Sequence, residues 1–147
     1  MKKVNNSRVH FEYTILQTFE AGMGLLGSEV KTVKSNRISL EGAYVRIIGT
    51  EVFLVNAEIP LYPYARPDGY DPRRTRKLLM HKREILLIKG KMTQGGLTLV
   101  PLSCYTKRGY VKLEIGLARG KKEYEKREKI KRKDISRDVE RELREKD

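Results

Sequence analysis

Gly22, Met23, Gly24, Leu25, Leu26 and Gly27 carry the spacing G-x-G-x-x-G, which in dinucleotide-binding folds lets a strand-to-helix corner approach a pyrophosphate. A strand-like run precedes these residues and a helix-like run follows, with Glu41 at a tolerable distance for a ribose hydroxyl. The chemistry also needs a parallel strand after the helix. Here the next two runs read as a β-hairpin, and no repeated βαβ pattern follows. A tight corner that needs glycine is the simpler account, with a dinucleotide-dependent enzyme kept as an alternative. His10, His81 and Cys104 are the only imidazoles and thiol, at no metal-binding spacing. A Cys104–His81 nucleophile pair is conceivable, but a small strand residue accounts for Cys104 more simply. The segment IKGKM lacks the glycine and hydroxyl of a nucleotide-binding P-loop. Neither a catalytic residue nor a cofactor or metal is assigned, and the chain reads as a non-enzyme.

The basic clusters offer different chemistry. Arg73, Arg74, Arg76, Lys77, Lys82 and Arg83 crowd together just after Tyr62, Tyr64 and Tyr70. Cations meet phosphates and aromatic faces stack on unpaired bases, a mixture suited to structured RNA with exposed loops. A solvated helix face is the alternative for the same residues. The 147 residues include 32 Lys and Arg against 19 Asp and Glu, a net charge of +13. Residues 1–118 carry +9 of this and residues 119–147 carry +4. Such a field concentrates polyanions, nucleic acid first and anionic membrane second. The longest aliphatic run, residues 85–88, is far short of a membrane span, and no apolar segment follows MKKVNNSR. A soluble cytoplasmic monomer is expected.

Positioning these residues requires a scaffold. Residues 9–19 are aromatic and β-branched and read as a strand ended by the glycines. Ser28 is the expected N-cap of a short helix. AYVRII and EVFLV form a hairpin about Gly49 and Thr50. Dense prolines exclude regular structure over residues 60–72. Asp71-Pro72 suggests a helix start, with a second start near His81, burying Leu78, Leu79, Ile85 and Ile88. The last two runs alternate and turn at residues 107–109, with Val111, Leu113 and Ile115 on one face and Lys112 and Glu114 on the other. The fold expected is mainly β: a small antiparallel OB-like barrel of five or six strands, with two or three short peripheral helices and a charged C-terminal tail.

Four segments in order, YTILQTFEAGMGLLGSEVK, DPRRTRKLLMHKREI, GLTLVPLSCYTKRG and GLARGKKEYEKRE, resemble the SsrA-binding protein family of bacteria, also called small protein B. With the hairpin between them they span almost the whole chain. The resemblance implies a body over 1–118 that grips the tRNA-like domain of transfer-messenger RNA (tmRNA). It also implies a tail over 119–147, disordered when free, that enters the empty mRNA channel of a stalled ribosome as a helix. Carried over by position, Asn6, Glu20, Leu79 and Lys112 become tmRNA contacts. Gly120, Lys121, Lys122, Tyr124, Glu125, Lys126 and Arg127 become tail residues near the small-subunit decoding centre. The chain departs from the family pattern at Gly24, Lys34, Gly69-Tyr70 and Met80. A generic OB-type ribosomal protein or RNA chaperone remains the alternative on residue chemistry alone. In the tail, Glu123–Arg127, Glu125–Lys129, Glu128–Arg132, Glu140–Arg144 and Glu142–Lys146 are i,i+4 pairs that together favour a helix by only about 1–2.5 kcal/mol.

Overall fold

A computed structural model of the chain describes residues 1–121 and Arg127. In chain order the elements are β1 (Val4–Asn5), α1 (Val9–Glu12), β2 (Tyr13–Met23), α2 (Gly27–Lys34), β3 (Tyr44–Ile48), β4 (Glu51–Val55), β5 (Arg76–Leu79), α3 (Lys82–Met92), β6 (Leu97–Lys107) and β7 (Tyr110–Gly120).

The strands alternate apolar and polar side chains, so each needs a partner face to bury one side. They meet that need in one antiparallel sheet ordered β1-β6-β3-β4-β5-β2-β7, in which β6 also pairs β7. The order therefore closes into a six-stranded ring with β1 appended to β6. Long pairings of β7 with β2 and β6 form its back, whereas β3 meets β6 through the single pair Val45–Leu99. The interior holds Leu54, Ile59, Leu99, Leu113, Ile115 and Leu117, with Val33 of α2 and Ile85 and Ile88 of α3 joining the same cluster. A second cluster of Val9, Val100, Leu102 and Ala118 lies apart from it. Burial on both faces explains why β6 is covered without alternation from Leu99 to Cys104.

Several expected boundaries move. Residues 9–12 are a helical turn rather than the start of a strand, since Val9 packs into the second cluster. Strand β2 in turn runs through Gly22, the first of the three glycines, and ends at Met23. Gly22 pairs Leu79 on one side and Lys112 on the other, and a Cβ on it would stand 3.4 Å from the Leu79 Cβ. The Gly24 N–H donates to the Lys77 carbonyl at 2.8 Å, leaving a Cβ only 3.2 Å from that oxygen. These glycines serve close strand approach. Among the described residues no parallel strand follows α2 and every strand pairing is antiparallel, so the dinucleotide reading lacks its required topology there.

Ser28 is not the N-cap of α2. Leu26 holds that place, and its N–H donates to Glu29 Oε1 at 2.9 Å. Asp71-Pro72 opens a turn instead of a helix: the Asp71 carboxylate accepts the Arg73 N–H at 2.9 Å, and β5 follows. Leu78 and Leu79 thus point to opposite faces, one buried and one exposed, rather than sharing a helical stripe. The second start holds, with α3 running past Gly90 to Met92. The β6–β7 hairpin turns on Arg108 and Gly109, both at positive φ (53° and 81°), as a two-residue type I′ connection requires. Strand β7 continues to Gly120, beyond the body boundary drawn at 118.

Candidate nucleic-acid interface

Glu20, Leu79 and Lys112 come from β2, β5 and β7, and the sheet order makes these strands neighbours. They line one open groove of about 340 Å³, together with Met80, His81 and Glu84 around Gly22. Leu79 points outward and is 58% exposed, an apolar edge beside the Lys112 ammonium. Glu20 and Lys112 also line a second groove with Lys107, Arg108 and Tyr110, so the two form one continuous surface.

The groove residues are held in place by their own partners. The Tyr105 hydroxyl and the Lys107 ammonium both donate to the Glu20 carboxylate. The Tyr105 hydrogen bond is the main cause holding the Glu20 carboxyl below its usual range. Burial, reinforced by Glu20, pushes the Tyr105 phenol up, so it stays a donor. Lys112 Nζ lies 6.0 Å from the Tyr110 ring centroid, at the outer limit of a cation–π contact. The arrangement provides a fixed acceptor, three cations, an exposed ring and an apolar edge. It can bind sugar, phosphate and base, but offers no nucleophile beside a base.

The arginine cluster divides. Arg76 is 0% exposed, and its guanidinium is directed inward to Glu29 Oε2 (2.9 and 2.7 Å) and the carbonyls of Ala57, Arg74 and Pro72. It is therefore corrected from an RNA contact to the centre of a buried network, since every donor it would offer a phosphate is spent inside. Arg74 also binds Glu29, through both Nε and Nη2, and keeps only 31% of its side chain exposed. Arg73 faces solvent but pairs with Glu58 at 3.1 Å and with Asn56. Lys77 faces outward with Leu79 and meets Glu51 at 3.4 Å. Lys82 and Arg83 are exposed on the first turn of α3, directly after His81 of the groove.

Burial alone would push the Glu29 carboxyl up. Hydrogen bonds from Arg74, the Leu26 N–H and Arg76, with the Arg76 charge, outweigh it and hold the carboxyl at about 2. Tyr70 belongs to the same network, donating to the Ile59 carbonyl at 2.7 Å and lying 3.1 Å from Glu29. Asn6 stands apart from the groove: its side-chain amide donates to the Pro101 carbonyl at 3.0 Å, tying the segment before α1 to β6.

Gly120 is the last residue of β7 and pairs Tyr13. The Lys121 N–H donates to the Glu12 carbonyl and its Nζ to the His10 carbonyl, both at 2.8 Å. Arg127 is exposed. Lys122, Tyr124, Glu125 and Lys126 lie outside the described residues. Sequence reasoning missed Lys107, Arg108, Tyr110 and His81 as neighbours of Glu20. The run KRGY signals only a turn, and its proximity to Glu20 depends on β2 pairing with β7 across more than ninety residues of chain.

Among the described residues no group of three or more His, Cys, Asp or Glu is placed to hold a metal ion. Also among them, no helix is long and apolar enough to cross a membrane. Strand ring and groove together define a small basic binding module whose surface chemistry matches that of polyanion-binding proteins. The chain belongs to the SmpB protein family, whose family model matches residues 3–145. It is 48% identical over 141 residues to an SsrA-binding protein of Gloeobacter violaceus, covering 96% of this chain and 93% of that one. It is 44% identical over 146 residues to an SsrA-binding protein of Carboxydothermus hydrogenoformans, covering 98% of each. Among solved structures, it is similar to a chain of "tmRNA-SmpB: a journey to the center of the bacterial ribosome", with a TM-score of 0.67 and 44% identity over 82% of this chain and 85% of that one.

Proposed function

We propose that this chain is an RNA-binding adaptor, not an enzyme, that binds the tRNA-like domain of tmRNA and delivers it to stalled ribosomes in the bacterial cytoplasm. One observation carries the reading at the level of residues. Glu20, Leu79 and Lys112, far apart in sequence, meet in a single exposed groove on a strongly basic body. Full-length similarity to SsrA-binding proteins supports the pathway. In this reading the body holds tmRNA, with Lys77, Lys82 and Arg83 as peripheral phosphate contacts. Residues 122–147 then act in the empty mRNA channel near the decoding centre.

Replacing Lys112 with glutamate tests the groove. It removes a cation and adds a further carboxylate beside Glu20, so tmRNA affinity is expected to fall by roughly ten- to thirtyfold, about 1.4–2 kcal/mol. Filter binding at matched salt measures this, and an unchanged melting temperature would show that the fold is intact. Unaltered affinity would place the RNA elsewhere. A generic RNA chaperone would bind tmRNA and elongator tRNA equally, and the same assay distinguishes it.

A further inference from the structure

The proline-rich segment between β4 and β5 is irregular in secondary structure but firmly held. Its neck is closed by the Ile59 N–H to the Pro72 carbonyl at 2.9 Å and by the Tyr70 hydroxyl to the Ile59 carbonyl at 2.7 Å. At its far end the Ala65 N–H donates to the Tyr62 carbonyl at 2.9 Å, closing a four-residue turn with Pro63 second and Tyr64 third. Proline fixes the backbone ahead of Tyr64, so the tyrosine is set on a stiff mount. Tyr64 is 88% exposed, the most exposed of the large hydrophobic side chains among the described residues. Its ring meets that of Tyr62 edge-on, with centroids 5.5 Å apart and planes at 65°. Lys31 Nζ of α2 stands 5.4 Å from the Tyr62 centroid.

The three tyrosines of this segment therefore differ in role. Tyr70 is committed to the neck, Tyr62 is a brace covered by Lys31, and Tyr64 presents its ring to solvent. None of them lines the Glu20–Leu79–Lys112 groove. Lys31 is the cation at the corner, and two more exposed cations are near it in the chain: Arg66 follows Tyr64 by two residues, and Lys34 lies one turn beyond Lys31 on α2. Asp68 is the only carboxylate among residues 60–70.

We propose that Tyr64 is a stacking platform for one unpaired RNA base, with Lys31 and Arg66 meeting the phosphates on either side, at a second contact apart from the groove. An exposed, pre-oriented ring with cations beside it suits a base, which every nucleotide offers as a π-face, and little ordering entropy is lost on binding. The proposal rests on the reading of this chain as a tmRNA adaptor. The base belongs either to tmRNA or to ribosomal RNA, and the experiment separates the two.

The full-length chain and its Tyr64→Ala and Tyr64→Phe variants are titrated with purified tmRNA and, separately, with stalled ribosomes. Tyr64→Ala is expected to bind roughly tenfold or more weakly in the arm that supplies the base, while Tyr64→Phe stays within about twofold. A photoreactive phenylalanine derivative placed at position 64 should crosslink to an unpaired nucleotide of that same RNA. Alanine as tight as wild type in both arms, or a crosslink to protein alone, would overturn the platform. Wild-type chain that fails to bind tmRNA would instead overturn the adaptor reading itself.

Discussion

Glu29→Ala is expected to lower the unfolding free energy at pH 7 by about 3–5 kcal/mol, the usual cost of stripping one partner from a buried ion pair. Arg76 would remain fully buried with its charge uncompensated, and the Leu26 N–H at the start of α2 would lose its acceptor. The neck of the tyrosine segment would loosen as well, because Tyr70 and Arg74 both meet Glu29. The effect should depend on pH with a definite sign. The carboxyl sits at about 2 when folded and near 4.5 when unfolded, so its contribution is complete above about 4.5. It is lost as pH falls from there through 2, a span of about 3 kcal/mol. Urea titrations of wild type and variant should therefore show a gap that is wide at pH 7 and narrower at pH 3. Arg73→Ala, which breaks only an exposed pair with Glu58, should cost less than about 1 kcal/mol. A Glu29 variant as stable as the Arg73 variant would contradict the buried network.

Truncation after Lys121 should separate two activities. The cut preserves β7 to Gly120 and both Lys121 hydrogen bonds to α1, so the body keeps its last strand. The removed residues hold 11 basic and 9 acidic side chains, leaving +11 of the +13 on the remainder. With groove and field retained, tmRNA affinity should change by less than about threefold. Peptide tagging on stalled ribosomes should drop by about a hundredfold or more, since one of two linked contacts is gone. Charge reversal at Lys126 and Arg127 should divide the same way. Tagging at normal levels by the truncated chain would refute the division of labour, and a large loss of tmRNA affinity would assign those residues to the body's interface.

Much of the scaffold was legible because period-2 alternation is a local signal. The hairpins β3–β4 and β6–β7 lie where apolar alternation and turn residues placed them, and Val111, Leu113 and Ile115 are buried as their spacing required. RKLL differs most from its local reading, being a strand where a helix is expected. Arg76 occupies an inward position, so an alternation of buried and exposed residues looked like a charged helix start. Its partner Glu29 lies 47 residues away, and nothing local shows that a carboxylate waits inside. For the same reason charge density misplaced Arg76 among RNA contacts and gave no sign that Arg74 is half-committed. Conversely, Glu20, Leu79 and Lys112 entered only through family resemblance. Their convergence depends on β2 lying between β5 and β7, a tertiary fact that no window of sequence contains.

The account stands on two sets of RNA contacts carried by one basic chain. It is tested most directly by recovering the full-length protein from bacterial cells and sequencing the RNA that comes with it. tmRNA should be enriched far above elongator tRNAs of similar abundance, and Lys112→Glu should lose most of that enrichment. Recovery of ordinary tRNA and tmRNA in proportion to their abundance, or of no RNA at all, would contradict it.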